Sequence, residues 1–381
     1  MDIDYSRRIF GLDLMRAIAI LGVLGSHILW IFPEANSGWL VYILQFGGVM
    51  GVELFFVLSG FLIGRILLRH FVNPQFHKGH FNYFLVRRWF RTLPNYYAVL
   101  LLNILLVTAI GRELPDTIAR YFGFLQNFFS GMDIFFTESW SLPIEEFAYI
   151  IGPVLLLLAV SAFAKAKRET LFLVVTLVVI LFFITTKIIY TTGLTEMSLQ
   201  HWNIELKAVV WYRIDAIYYG VLAGYISMIY TKLWKKYAVF CLVLGIGLFF
   251  LVQIVMTLKQ WTPESNPWFW YVAYLPLMSM IYSLFLPALS QWKTQPTFLG
   301  KTITIISLIS YAIYLLHYGI ILQTLRWIWP IETLTTSTKA IYVVVYLVLV
   351  FGLSYLWYRY YEKPMMDIRD KPYIKSRFSR P

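Results

Sequence analysis

Residues 11–32 read GLDLMRAIAILGVLGSHILWIF, a stretch long and apolar enough to cross a bilayer. It nevertheless holds Asp13, Arg16 and His27. A charged group at the centre of a membrane helix costs about 2.5–3.5 kcal/mol on insertion scales, so such groups normally mark a pathway or a reaction site. Arg16 and His27 are eleven residues apart. At about 100° per residue this is three turns and a small remainder, which puts both on one helix face about 16 Å apart in height. Asp13 precedes Arg16 by nearly one turn on the same face. The stripe must therefore face protein or water.

The rest of the chain has the same character. Of 381 residues, 59% are hydrophobic and only 14% charged, too apolar for a soluble domain, so the fold expected is all-α, a polytopic membrane helical bundle. Ten segments have spanning length: about 11–32, 43–66, 92–110, 144–163, 171–190, 208–230, 238–257, 268–288, 303–326 and 340–360. Placing the N- and C-termini in the cytoplasm puts 23 of the 32 Lys and Arg on that side, among them a short basic tail over about 363–381, and eight on the other. The net charge of +12 is then a topology signal, and nucleic acid is not expected as a partner. No linker or repeat divides the chain, so 1–381 reads as a single domain. The first segment follows MDIDYSRRIFG without a small-residue cleavage site and reads as retained. The one cysteine, Cys241, lies in an apolar run and reads as core, which leaves no disulfide framework. In the connection from Gly111 to Pro143 the stretch YFGFLQNFFSGMDIFF (121–136) is aromatic and nearly uncharged, as expected of a segment at the interface or folded back to line a cavity.

Five motifs carry a resemblance. Arg16 and His27 in GLDLMRAIAILGVLGSHI are followed by GVELFFVLSGFLIGRIL (51–67), FLVRRWFRTLPNYY (84–97), ESWSLPIEEFAYI (138–150) and ISYAIYLLH (309–317). In this order over nearly the whole chain, they resemble the acyltransferase family 3 membrane proteins. The resemblance implies an O-acyltransferase of the bacterial cytoplasmic membrane that moves an acyl group, commonly acetyl, from cytoplasmic acetyl-CoA to a hydroxyl of an extracytoplasmic acceptor. That acceptor would be a saccharide or a lipid-linked glycan, with membrane lipid around the chain as the other partner. Pro143 departs from the small polar residue usual in the family, and no hydrolase-like segment follows the last helix, so a self-sufficient enzyme is expected.

Each residue has a chemical and a plainer reading. His27 can take a hydroxyl proton near neutral pH, form an acyl-histidine, or simply pack against a carbonyl. Arg16 suits a carboxylate, a phosphate or a developing oxyanion; it can equally form a salt bridge with Asp13, or be oriented by it. Arg88 and Arg91, with Arg87 beside them, match the family's paired arginines and suit the phosphates of coenzyme A, or anchor a basic loop. Glu145 is selected over Glu146 by family position, and since neighbouring helical residues diverge by about 100° only one is expected to face the core. It would orient His27 or bind the acceptor hydroxyl, unless both acids merely favour a helix N-terminus. Tyr311, Tyr314 and His317 line one strip, as channel wall or as core. Asp215 and Arg213 read as an internal ion pair. His70, His77 and His80 lack acidic or Cys partners, so no metal is expected. The rival class is a transporter, since intramembrane ionisable groups also mark translocation paths; the paired, broken short helices of many inverted-repeat transporters are missing from the sequence.

Overall fold

The computed structural model describes residues 8–35, 37–293 and 297–378. These are 80% helical and contain no strand. Nine helices among the described residues are long and apolar enough to cross a membrane, and the chain is a multi-pass integral membrane protein. In chain order the main helices are α1 (Phe10–Ile28), α2 (Trp39–Phe71), α3 (Lys78–Ala109), α4 (Ser141–Ala162) and α5 (Arg168–Thr192). They are followed by α6 (Asp215–Ile229), α7 (Ala238–Leu258), α8 (Tyr274–Ser283), α9 (Phe298–Leu316) and α10 (Thr336–Trp357).

The tenth expected span is the exception. Residues 208–230 are apolar, but helix α6 begins only at Asp215 and has 15 residues, about 22 Å of rise against a hydrocarbon core of about 30 Å. A single 3-10 turn, Val210–Tyr212, precedes it. Irregular backbone at this depth is tolerated because protein surrounds it: Val209, Val210 and Arg213 are completely buried. Buried charge explains the break. Arg213 pairs with Glu53 of α2, and Asp215 pairs with Lys187 of α5. The expected Arg213–Asp215 pair does not form, and the two side chains reach separate helices. Ser279 of α8 donates to the second oxygen of Glu53 at 3.2 Å, so four helices share one polar knot.

Without water to drive helices together, membrane bundles rely on close backbone approach. Here GFLIG (60–64) of α2 meets GVLAG (220–224) of α6. A Cβ on Gly60 would run into the Ile217 carbonyl, and one on Gly220 into the Val57 carbonyl. No other residue fits at either position without separating the helices.

Prolines shape two further elements. Helix α1 extends by a 3-10 turn to Ile31 and stops ahead of Pro33, because the residue before proline disfavours helical geometry. In α3, Pro94 lacks the N–H that would bond the carbonyl four residues earlier, and nearby tyrosines bond the helix backbone: Tyr311 donates to Thr92 O at 3.1 Å and Tyr361 to Pro94 O at 3.1 Å. The connection before α4 packs back into the bundle, where Tyr121 and Phe136 are fully buried.

Candidate active site

Two cavities lie along the polar face of α1. The first, about 90 Å³, is lined by Arg16, Arg88 and Arg91 together with Ser59, Glu145 and Tyr149. The second, about 710 Å³, is lined by His27 with Glu138, Trp140, Lys207 and Tyr318, among others. Val52 and Tyr314 border both. The Tyr314 hydroxyl is held 2.7 Å from Ser141 Oγ, so one side chain forms much of the partition.

In the arginine pocket, Arg16 donates to Ser307 Oγ of α9 at 3.2 Å, and Ser307 donates onward to Asp13 at 2.8 Å. Asp13 is itself clasped by Arg8, whose Nε lies 2.8 Å from its second oxygen, and stands 3.8 Å from Arg16. Asp13 thus orients Arg16 while its own charge is balanced by Arg8, and the guanidinium of Arg16 retains donors for a ligand. Arg88 and Arg91 are a turn apart on α3 and reach the same space. Arg87 does not: it is exposed and lies 3.9 Å from Asp370.

Glu145 belongs to this pocket. It accepts from Tyr149 at 2.5 Å and from Ser59 at 3.2 Å, and it has no bond to His27, which lies in the other cavity. The orienting role expected for it is therefore not supported by the geometry. Glu146 is buried as well and accepts from Thr92 at 2.7 Å. Both acids face protein, because their neighbours lie on two sides of α4.

His27 instead has a histidine partner. Its Nδ1 is 2.8 Å from Nε2 of His317, a fully buried residue where α9 passes into a π-helical turn, His317–Leu322. The opposite nitrogen of His317, Nδ1, lies 2.8 Å from Tyr314 O and 3.0 Å from Ile313 O. Two carbonyls accept only, so His317 Nδ1 carries the proton and neutral His317 offers Nε2 as an acceptor. The proton between the rings then sits on His27 Nδ1. His27 Nε2 is left with a lone pair, the form a base requires. The Tyr318 ring, 4.9 Å from that of His27, flanks it.

Three residues at this cavity were not singled out as a site by sequence. His317 was visible only as one of a strip; Glu138, which accepts from Gly319 N–H at 2.8 Å, stood inside a motif read for Glu145. Lys207 is a lysine at the end of a π-helical turn, Trp202–Lys207, flanked by aromatic and apolar residues on the side the charge bias leaves poor in lysine. That combination was its signal.

The chain belongs to the acyltransferase family described as "Acyltransferase domain", which it matches over residues 9–359. It is 34% identical over 205 residues to the Bacillus subtilis protein named "Putative peptidoglycan O-acetyltransferase YrhL", covering 50% of this chain and 30% of that one. It is 32% identical over 169 residues to the Listeria monocytogenes protein named "Peptidoglycan O-acetyltransferase OatA", covering 40% of this chain and 25% of that one. The alignments thus span less than a third of these relatives' length. No solved structure matches the chain.

Proposed function

We propose that the chain transfers an acetyl group from acetyl-CoA, bound at the arginine pocket from the cytoplasmic side, to a hydroxyl of an extracytoplasmic saccharide held in the His27 cavity of a bacterial cytoplasmic membrane. The observation that carries this reading is the pair of cavities sharing Val52 and Tyr314, one cationic and one with a basic imidazole. The charge bias supports the orientation, since α3, which carries Arg88 and Arg91, begins at Lys78 on the basic side, to which the chain after α10 returns, with Arg369 donating to Arg87 O. Arg88 and Arg91 suit the phosphates of the donor, and the pantetheine arm is thin enough to pass inward. The names of the relatives favour a glycan acceptor.

In the reaction, the acceptor oxygen attacks the thioester carbonyl as His27 Nε2 takes its proton. The imidazolium that forms is stabilised by His317 Nε2, to which His27 Nδ1–H donates. When the tetrahedral intermediate collapses, the carbon–sulfur bond breaks and His27 returns the proton to the thiolate, giving the ester and free CoA thiol. The donors of Arg16 face the arginine pocket, one level below, and hold the incoming donor. The test is direct. Purified protein in liposomes, supplied with labelled acetyl-CoA on one face and a peptidoglycan-derived glycan on the other, should add the mass of an acetyl group to the glycan. An unmodified glycan, with donor bound and protein folded, would overturn the assignment.

A further inference from the structure

Lys207 lines the His27 cavity, and its ammonium lies 5.0 Å from the centre of the Trp140 ring. Its place is built. Asn127, completely buried, donates through one amide to both Trp140 O at 2.7 Å and Ala208 O, tying the turn that carries Lys207 to the strap that carries Trp140. The backbone reinforces this, with Val210 N–H donating to Asn127 O at 3.0 Å and Trp211 N–H to Phe128 O at 3.1 Å.

What the site lacks is a counter-ion. Among the described residues no carboxylate forms an ion pair or hydrogen bond with Lys207. The one acid among the residues lining the cavity, Glu138, accepts from Gly319 N–H through one oxygen, and its other oxygen is buried without a hydrogen bond and makes none to Lys207. Lys207 is part-exposed at the cavity wall, and a cation held over an aromatic face gains only about 0.5–2 kcal/mol, so its ammonium keeps capacity for an anion. Burial, and after it the charge of Arg213, push the Lys207 ammonium down to about 8, with the more distant Glu53 carboxylate opposing them. A neutral hydroxyl would not need such a group; an anion would.

We infer that Lys207, set against Trp140, is a subsite for an anionic group on the acceptor, and hence that the acceptor is an acidic saccharide whose carboxylate or phosphate binds there while a neighbouring hydroxyl faces His27. This rests on the saccharide reading above. The donor's phosphates have their own arginines in the other pocket, so the charge at Lys207 is left for the acceptor. Trp140 and Trp270, both part-exposed, line the same cavity and offer apolar faces on which sugar rings stack.

The test is binding by the full-length protein in nanodiscs without donor, read by isothermal calorimetry. One arm compares trigalacturonate with its methyl ester, and the other compares N-acetylglucosamine 1-phosphate with methyl N-acetylglucosaminide. Each pair differs chiefly in charge. The expected result is an anionic member bound at least about tenfold tighter in one arm, which names carboxylate or phosphate as the source. Lys207→Met should remove the preference and Lys207→Arg should keep it. Equal affinities in both arms, or a preference that survives Lys207→Met, would overturn the subsite while leaving a saccharide acceptor standing. If Lys207 instead served only a transition-state oxyanion, equal affinities are what would be seen. Failure of every probe to bind wild-type protein would overturn the subsite and the saccharide reading together. The wild-type comparison requires no variant, so a misfolded mutant does not rescue the proposal.

Discussion

Replacing His317 by Ala tests whether the histidine pair works as a unit. Among the described residues the one polar side chain hydrogen-bonded to His27 is that of His317, through Nε2 at 2.8 Å. In the resting state this bond joins two neutral rings; once His27 takes the acceptor proton it becomes charge-assisted. Hydrogen bonds to a charged group contribute about 1.5–3 kcal/mol against about 0.5–1.5 kcal/mol for neutral ones, and the difference of about 1–1.5 kcal/mol appears only as the imidazolium develops. The expected loss is therefore about 5- to 15-fold in the rate of transfer, with little change in donor affinity, because His317 does not line the arginine pocket. His317→Gln, which can present an amide oxygen to His27 Nδ1, should recover part of the rate. The assay is initial acetyl transfer in liposomes at matched amounts of monodisperse protein, with acetyl-CoA binding measured separately. A wild-type rate for His317→Ala would refute the coupling, and a loss confined to donor affinity would place His317 in the wrong cavity.

Arg88→Ala with Arg91→Ala should weaken acetyl-CoA binding by at least about tenfold, each lost charged bond costing about 1.5–3 kcal/mol, whereas Arg87→Ala, whose side chain points toward Asp370, should leave it unchanged; calorimetry with purified variants decides. Arg213→Met strands the buried Glu53 carboxylate and should destabilise the protein by about 3–5 kcal/mol, read as a fall in thermal midpoint, and the double change with Glu53→Gln should restore most of it. A reporter inserted after Lys235 or placed at the C-terminus should read as cytoplasmic, while one at Glu34, which pairs with Lys339 at 2.8 Å, should read as external; the opposite pattern would reverse the direction of transfer.

The spans were legible because hydropathy and charge bias are local and summed over many residues. Arg16 and His27 were legible because their spacing puts them on one helix face and resembles the family's opening motif, and Arg88 and Arg91 because they resemble its paired arginines; each lies on a cavity wall. What the sequence could not give was partnership across the bundle. His27 and His317 are 290 positions apart, and Glu53 and Arg213 are 160 apart; nothing in a single chain marks either pair. Proximity in sequence even misled, joining Arg213 to Asp215 and reading one uninterrupted helix where opposed buried charges begin it late. Glu145 was placed with His27 by its motif, yet it stands beside Ser59 and Tyr149 in the pocket with Arg88. Lys207 was counted as a charge on the sparse side, and its meaning came only with Trp140 and the cavity around it.

The central claim is that His27 Nε2 is the base, and His27→Gln tests it most directly, since glutamine keeps polarity and approximate size without a basic nitrogen. Acetyl transfer should be measured in liposomes at equal levels of folded protein, alongside acetyl-CoA affinity. The account predicts unchanged donor binding and a loss of transfer of about 10²–10⁴-fold, as for a positioned general base. Near wild-type transfer by His27→Gln would contradict it and leave His27 a packing residue.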